Sequence, residues 1–317
     1  MKIERRIAVI GLGAMGGAMA ATLHKSGWEV TGFDPSAAAR TASEEAGIRT
    51  TANLEEVAGT PYAVLSLPAA SIVETTVPQL LTVPGTVAII DTTTSEPATS
   101  KHMAELAHAQ GAAFVDAPVS GGRDGAASGS LSAFVGATDE ALAAAEPVLL
   151  ALTSGKYSHI GGPGSGNVVK LLNNVLAAAN LVSVGEALGV AKAYGIDPAK
   201  AAASISDASG GSKVSANMYP NWVLSGTHDS GFSLGLMARD AALAVDVAAQ
   251  IGQSPALLAA VAGQWQDALA ALGPTADFTE IARAVAPAIT PAGPPSTAPD
   301  TAPDAAPSTA NGTTAVA

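Results

Sequence analysis

The 317 residues include no cysteine. That absence excludes disulfides, thiolate metal sites and cysteine nucleophiles together. Histidine is scarce as well: His24, His102, His108, His159 and His228 are scattered without the paired spacing of metal ligands, so no metal site is expected. Basic residues number 15 against 27 acidic ones, for a net charge of −12, and no Lys/Arg run offers a footprint for a phosphate backbone. Nucleic acid is therefore not an expected partner. The opening MKIERRIAVI is charged and then apolar for only a few residues before glycine, too short for a secretory h-region or a membrane span. A cytoplasmic protein with no membrane role is the expectation.

Hydrophobic residues make up 48% of the chain, enough for a sizeable core, and the length suggests two domains. In the first half, short apolar runs at 6–10, 29–33, 62–67, 86–91, 112–117 and 131–136 read as strands. Stretches with apolar spacing near 3.6, such as 16–26, 36–46 and 97–110, lie between most of them. This alternation predicts a mainly parallel sheet with helices on both faces. After GGPGSG the pattern changes to an alanine- and leucine-rich stretch over 166–194, roughly 43 Å long as one helix. Helical patterns follow at 198–208, 212–224, 232–251 and 254–272. The expected architecture is an α/β Rossmann-type N-terminal domain (1–163), an all-α C-terminal domain (164–286), and a Pro/Ala/Thr-rich tail (287–317) too poor in apolar periodicity to order itself.

The stretch RIAVIGLGAMGG contains Gly11, Gly13 and Gly16 in the pattern G-x-G-x-x-G. Alone the pattern is weak, but here a strand precedes it, a helix follows it, and a second strand ends in Asp34, 18 residues after Gly16. Gly11 permits the tight turn, Gly13 lets the backbone approach a pyrophosphate, and Gly16 lets the helix pack on the strand. Leu12, Ala14 and Met15 complete the loop, and the free N–H groups of the helix start suit phosphate. Asp34 is placed to accept hydrogen bonds from both adenosine-ribose hydroxyls and to repel a 2′-phosphate, which favours NAD over NADP. Arg40 is the one nearby hint of phosphate tolerance. The same loop could serve a methyl donor or a flavin, a reading disfavoured by the helical second domain.

Four ordered stretches extend the reading: GLGAMGGAMAATLHKSGWEVTGFD, DAPVSGGRDGAASGSL (116–131), GSGNVVKLLNN (164–174) and FSLGLMARDAALAVD (232–246). Together they resemble the signatures of the β-hydroxyacid dehydrogenases, the family of 3-hydroxyisobutyrate, tartronate semialdehyde and threonate dehydrogenases, from about residue 5 to 285. The resemblance implies that Lys170 is the catalytic lysine and that Asn174 orients the alcohol. At i+4 the two share a helix face, with Asn173 beside them at i+3. A lysine near a helix start, if also buried, is displaced from about 10.4 toward the range of a useful base. Ser120, Gly121 and Gly122 form a turn whose hydroxyl and N–H groups suit a carboxylate. Arg123 stands where the family places a small or apolar residue and could add charge to that anion site, or simply be a solvated loop residue. Leu67, Pro68 and Thr94 match cofactor-contacting positions, and Arg239 replaces the family's usual lysine before Asp240, keeping charge but not geometry.

The resemblance implies an NAD-dependent dehydrogenase that interconverts a short anionic 3-hydroxy acid and its semialdehyde. Two other readings remain open. Imine reductases share the two-domain plan but replace the lysine retained here, and a non-catalytic NAD-binding sensor could keep the glycine motif alone. The decarboxylating 6-phosphogluconate dehydrogenases place His-Asn after the lysine, where this chain has Asn173-Asn174. A helix of some 29 residues that is apolar nearly all round needs cover on several faces, so a homodimer or homotetramer is expected.

Overall fold

The computed structural model describes residues 4–290. Six parallel strands come first: β1 (Arg6–Ile10), β2 (Glu29–Phe33), β3 (Arg49–Thr51), β4 (Tyr62–Leu65), β5 (Ala88–Asp91) and β6 (Ala113–Asp116), arranged β3-β2-β1-β4-β5-β6. Their near-continuous apolar runs suit strands covered on both faces, and β4 and β5 are buried at every residue. Beyond β6 the sheet turns mixed: β7 (Val119–Ser120) and β8 (Ser132–Gly136) pair antiparallel, β8 also meets β6 antiparallel, and β9 (Tyr157–Gly161) runs parallel to β8.

Alternation along the strands divides the core. Ile7, Val9, Val64, Ile90 and Val115 pack on one face with α1 (Ala14–Lys25), Ala39 of α2 (Ala37–Glu45) and, further along the chain, α6 (Asp139–Thr153). Ala8, Ile10, Ala63, Ile89 and Phe114 pack on the other with α3 (Ala70–Leu80) and α4 (Pro97–Ala109). Strand order reverses between β1 and β4, which opens a crevice at the carboxyl ends of the strands.

The second half is helical throughout. Its axis is α7 (Ser165–Ala193), 29 residues long, surrounded by α8 (Pro198–Ser206), α9 (Leu234–Gln250), α10 (Ala256–Leu272) and α11 (Ile281–Val285). By length and composition α7 could cross a membrane. Its Leu171, Val175, Ala178, Leu181 and Leu188 instead form the centre of the second core, with Trp265, Met237 and Phe278 packed in the same cluster. Leu172, Leu176 and Val190 of α7, with Tyr194 and Ile196 after it, stay exposed.

The structure departs from expectation in four places. The 212–224 pattern forms a π-type helix, Val214–Val223, with a Leu224 N–H to Tyr219 carbonyl bond of 2.8 Å across five residues. Pro220 sits inside it, where the missing N–H and the ring's clash with the preceding turn disfavour α-helical bonding. Strands β3, β7 and β9 have no counterpart among the expected strands: β3 and β7 are only three and two residues long, and β9 is largely exposed without an apolar run. The SGG turn leads directly into a short helix, α5 (Gly122–Ser128), whose two glycines conceal it. Packing also runs past 286, since Ile289 is buried in the second core; residues 291–317 of the expected tail lie outside the described residues.

Candidate active site

The glycine loop occupies the crevice beside the strand reversal. Gly11 has φ +89°, and a Cβ there would overlap the Ser66 carbonyl. A Cβ on Gly16 would overlap the Gly11 carbonyl, so both positions require glycine. Gly13 differs: its φ of −62° suits any residue, and nothing lies within 4 Å of a Cβ placed there. Gly13 also begins α1 without a side-chain cap, leaving the helix's first N–H groups to a ligand. These groups include those of Ala14 and Met15.

Asp34 is oriented in advance. Its carboxylate accepts from the Leu12 N–H at 2.7 Å and the Ser36 N–H at 2.8 Å, which holds it against the loop. Arg40 donates to the Asp34 and Pro35 carbonyls at 2.7 and 3.0 Å, so it braces the strand end through the backbone. The loops after β4 and β5 are joined by the Leu67 N–H to Thr93 hydroxyl bond of 3.1 Å, which sets Leu67, Pro68 and half-buried Thr94 on neighbouring turns.

The lysine arrives from the other half of the molecule. α7 begins at Gly164, in a left-handed conformation (φ +90°), without a cap from its own side chains. Asp116 at the end of β6 supplies one, accepting from the Gly164 N–H at 2.7 Å and the Asn167 N–H at 2.9 Å. The Asn167 side chain accepts from the Ser95 N–H at 3.0 Å and donates to the Ser95 and Ser100 hydroxyls at 3.3 and 3.0 Å. Lys170 follows three residues later, half-buried; burial lowers its pKa from the ordinary lysine value, while the negative charge of Asp240 pulls the other way. The Asn174 amide donates to Asp240 at 2.7 Å and its oxygen accepts from the exposed Asn173 at 3.2 Å. Asp240 is buried and held by Arg239 through Nε at 3.0 Å and Nη2 at 2.7 Å. The third contact of Arg239, Nη1 to the Pro68 carbonyl at 2.7 Å, ties this chain of groups to the nucleotide-side loop.

The structure thus joins Asn174 and Arg239 directly to Asp240, brings in Asn173 through Asn174, sets Lys170 within the influence of the Asp240 charge, and links Arg239 to Pro68. Gly121 (φ +122°) and Gly122 (φ +61°) make a turn that only glycine forms without strain, next to half-buried Ser120. Arg123 is exposed, with no hydrogen-bond or ion-pair partner among the described residues. Among the described residues no group of three or more acidic or histidine side chains is placed to hold a metal. Sequence reasoning overlooked Asn167, Asp116, Asp91 and the buried role of Asp240, although each lies within one of the apolar runs or signature stretches.

These residues fit a nicotinamide dinucleotide: an open cradle at Gly13, an uncapped helix start, and a fixed carboxylate at the second strand end. Residues 6–161 match the NAD binding domain of 6-phosphogluconate dehydrogenase, and residues 164–285 match the domain described as NAD-binding of NADP-dependent 3-hydroxyisobutyrate dehydrogenase. The chain is 36% identical over 251 residues to the 3-hydroxyisobutyrate dehydrogenase of Pseudomonas aeruginosa, covering 75% of this chain and 84% of that one.

The chain belongs to the β-hydroxyacid dehydrogenase family.

As a member of that family it is also 34% identical over 273 residues to the 2-(hydroxymethyl)glutarate dehydrogenase of Eubacterium barkeri, covering 83% of this chain and 89% of the relative. The structure of the Mycobacterium tuberculosis 3-hydroxyisobutyrate dehydrogenase with L-serine superposes with a TM-score of 0.82 at 29% identity, covering 89% of this chain and 99% of that one. This β-hydroxyacid dehydrogenase binds NAD(P) through its N-terminal domain.

The two loop glycines have different consequences. Gly13→Ala should leave thermal stability unchanged within about 1 kcal/mol, since its methyl meets open space, yet weaken dinucleotide binding at least about tenfold by filling the cradle. Gly16→Ala should lose stability and binding together. Calorimetric melting and titration of the apo proteins with NAD distinguish the two.

Proposed function

We propose that this enzyme oxidises the primary alcohol of a short 3-hydroxy acid to the semialdehyde, with Lys170 as general base and, in reverse, general acid. The observation that carries the reading is the poise of Lys170: burial favours its neutral amine, and Asp240, Asn174 and Arg239 form a fixed polar chain beside it. Neutral Nζ takes the hydroxyl proton as the alcohol carbon is oxidised. Asn174, held by Asp240 and Asn173, orients the alcohol, and Ser120, Gly121 and Gly122 anchor the carboxylate. NAD, when bound, accepts the hydride.

The names of the relatives narrow the substrate class. 3-Hydroxyisobutyrate, 2-(hydroxymethyl)glutarate and L-serine, named for three of them, share a CH₂OH group on the carbon that bears a carboxylate and differ at that carbon's other substituent. A 2-substituted 3-hydroxypropanoate is therefore the favoured substrate class. A panel of such acids assayed by NADH absorbance tests it, and turnover confined to secondary alcohols or imines would overturn it.

Asp34 supports a preference for NAD. Its carboxylate stands at the second strand end, while Arg40 is engaged with backbone carbonyls. The expected result is a higher kcat/KM with NAD than with NADP, and the reverse order would refute the assignment.

The exposed apolar residues on and beyond α7, Leu172, Leu176, Val190 and Ile196, support a homodimer or homotetramer that covers them. Sedimentation at micromolar concentration should show no monomer as the main species. A Leu176→Glu variant should shift the population toward monomer.

Lys170→Ala should retain the fold and NAD affinity, because the glycine loop and Asp34 lie in the other half of the molecule. Turnover should fall by roughly 10² to 10⁴, the usual loss for one acid–base group, or about 2.7 to 5.4 kcal/mol of transition-state stabilisation. Oxidation needs the neutral amine, so the wild-type rate should rise with pH as Lys170 loses its proton. Its lowered pKa places that limb below the pH of an ordinary lysine. The variant should lack the limb, and near-wild-type turnover with an unchanged pH profile would remove Lys170 from the chemistry.

A further inference from the structure

Two carboxylates buried at the strand ends take no part in the scheme above. Asp91 ends β5 and Asp116 ends β6, and the two are register partners in adjacent parallel strands. Their side chains therefore leave the same face of the sheet, on strands about 4.8 Å apart. Both are fully buried.

Their surroundings are unequal. Asp116 accepts two N–H bonds from the start of α7, and a Cβ on Gly136 or Gly166 would overlap its carboxylate, so both glycines make room for it. Asp91 accepts from the Thr93 N–H through Oδ1 at 2.9 Å, while its Oδ2 is buried without a partner among the described residues. Burial pushes both acids up to about 7, and the charge of Asp116 adds to the effect on Asp91. Burial on adjacent strands disfavours two anions here, and the charge of Asp116 weighs further against a second one on Asp91. The anion belongs on Asp116, where helix N–H groups and the α7 dipole favour it, and the proton belongs on Asp91.

We infer that Asp91 and Asp116 act as a one-proton pair, in which ionised Asp116 holds the first turn of α7 and so positions Lys170 for the substrate alcohol. Neutral Asp91 keeps that charge single. Asp116 is thus a positioning residue acting through the helix, and its link to catalysis rests on the acid–base reading of Lys170. The backbone from Gly164 to Lys170 spans less than two helical turns, so a shift at Asp116 reaches Nζ directly.

Two isosteric substitutions separate the members of the pair. Asp91→Asn imitates the protonated acid and should keep kcat within about twofold of wild type. Asp116→Asn sets an amide N–H₂ against backbone N–H donors and displaces the helix start. A misplacement of about 1 Å costs on the order of 10² in rate, so kcat should fall about 10- to 100-fold while KM and the Kd for NAD change less than about threefold. Hydrogen exchange at residues 164–170 should quicken in Asp116→Asn and not in Asp91→Asn. Should Asp116→Asn not fold, Asp116→Ser, whose hydroxyl still accepts one N–H, carries the same comparison.

Equal kcat and equal exchange in the two asparagine variants would overturn the inference, as would a loss of activity confined to Asp91→Asn. Faster exchange with unchanged kcat would overturn the link to Lys170. Lys170→Ala, measured alongside, fails separately: wild-type turnover in that variant refutes the acid–base reading, whatever the exchange shows at the helix start.

Discussion

The helix that bears the lysine starts on a carboxylate belonging to the other half of the molecule. α7 has no cap of its own, and two of its orphan N–H groups close on Asp116. Each such charge-assisted bond contributes about 1.5 to 3 kcal/mol, against the cost of burying the carboxylate. The asymmetry matters more than the net value, because a lost acceptor leaves buried N–H groups unsatisfied. Asn167 adds three bonds to Ser95 and Ser100 one turn further on. The N-terminal domain and the lysine helix are therefore fixed to each other at the carboxyl end of β6 and the loop after β5.

A second tether closes the other side. Arg239 gives two donors to Asp240 and one to the Pro68 carbonyl, which a lysine ammonium could not match with the same planar geometry. Arginine in place of the family's usual lysine thus alters what the side chain does, since the guanidinium spans from the acid beside Lys170 to the nucleotide-side loop. It also forms an ion pair with Asp240, whose charge opposes the lowering of the Lys170 pKa. Desolvation is left as the larger influence on the lysine, with Asp240 as the opposing one.

Much of this was legible in the sequence because local chemistry determines it. A strand, three spaced glycines and a helix admit few geometries, and Gly11 and Gly16 have no room for any other residue. Lys170 and Asn174 share a face by helix periodicity alone. What the sequence concealed depends on pairing between distant segments. β3 and β7 are too short to show a pattern, and the π-type turn around Pro220 has the same apolar spacing as an α-helix. Asp91 and Asp116 read as the polar ends of two unrelated strands, since only the β5–β6 register makes them neighbours. Asn167 reads as one more residue of a motif until its bonds to Ser95 and Ser100, 72 and 67 residues away, are visible.

The apolar character of α7 has two consequences that belong together. It gives the helix the composition of a membrane span, yet most of its large apolar side chains fill the second core around Trp265 and Tyr219. Burial near the helix start likewise lowers the pKa of half-buried Lys170. Were that helix amphipathic in the ordinary way, with a solvated polar face, the ammonium would keep its hydration and the downward shift would be lost. An apolar helix with a short polar segment at Lys170, Asn173 and Asn174 therefore does in one element what the proposed acid–base role of the amine requires. It packs a domain, it partly desolvates the amine, and it sets Asn174 on a buried partner, Asp240.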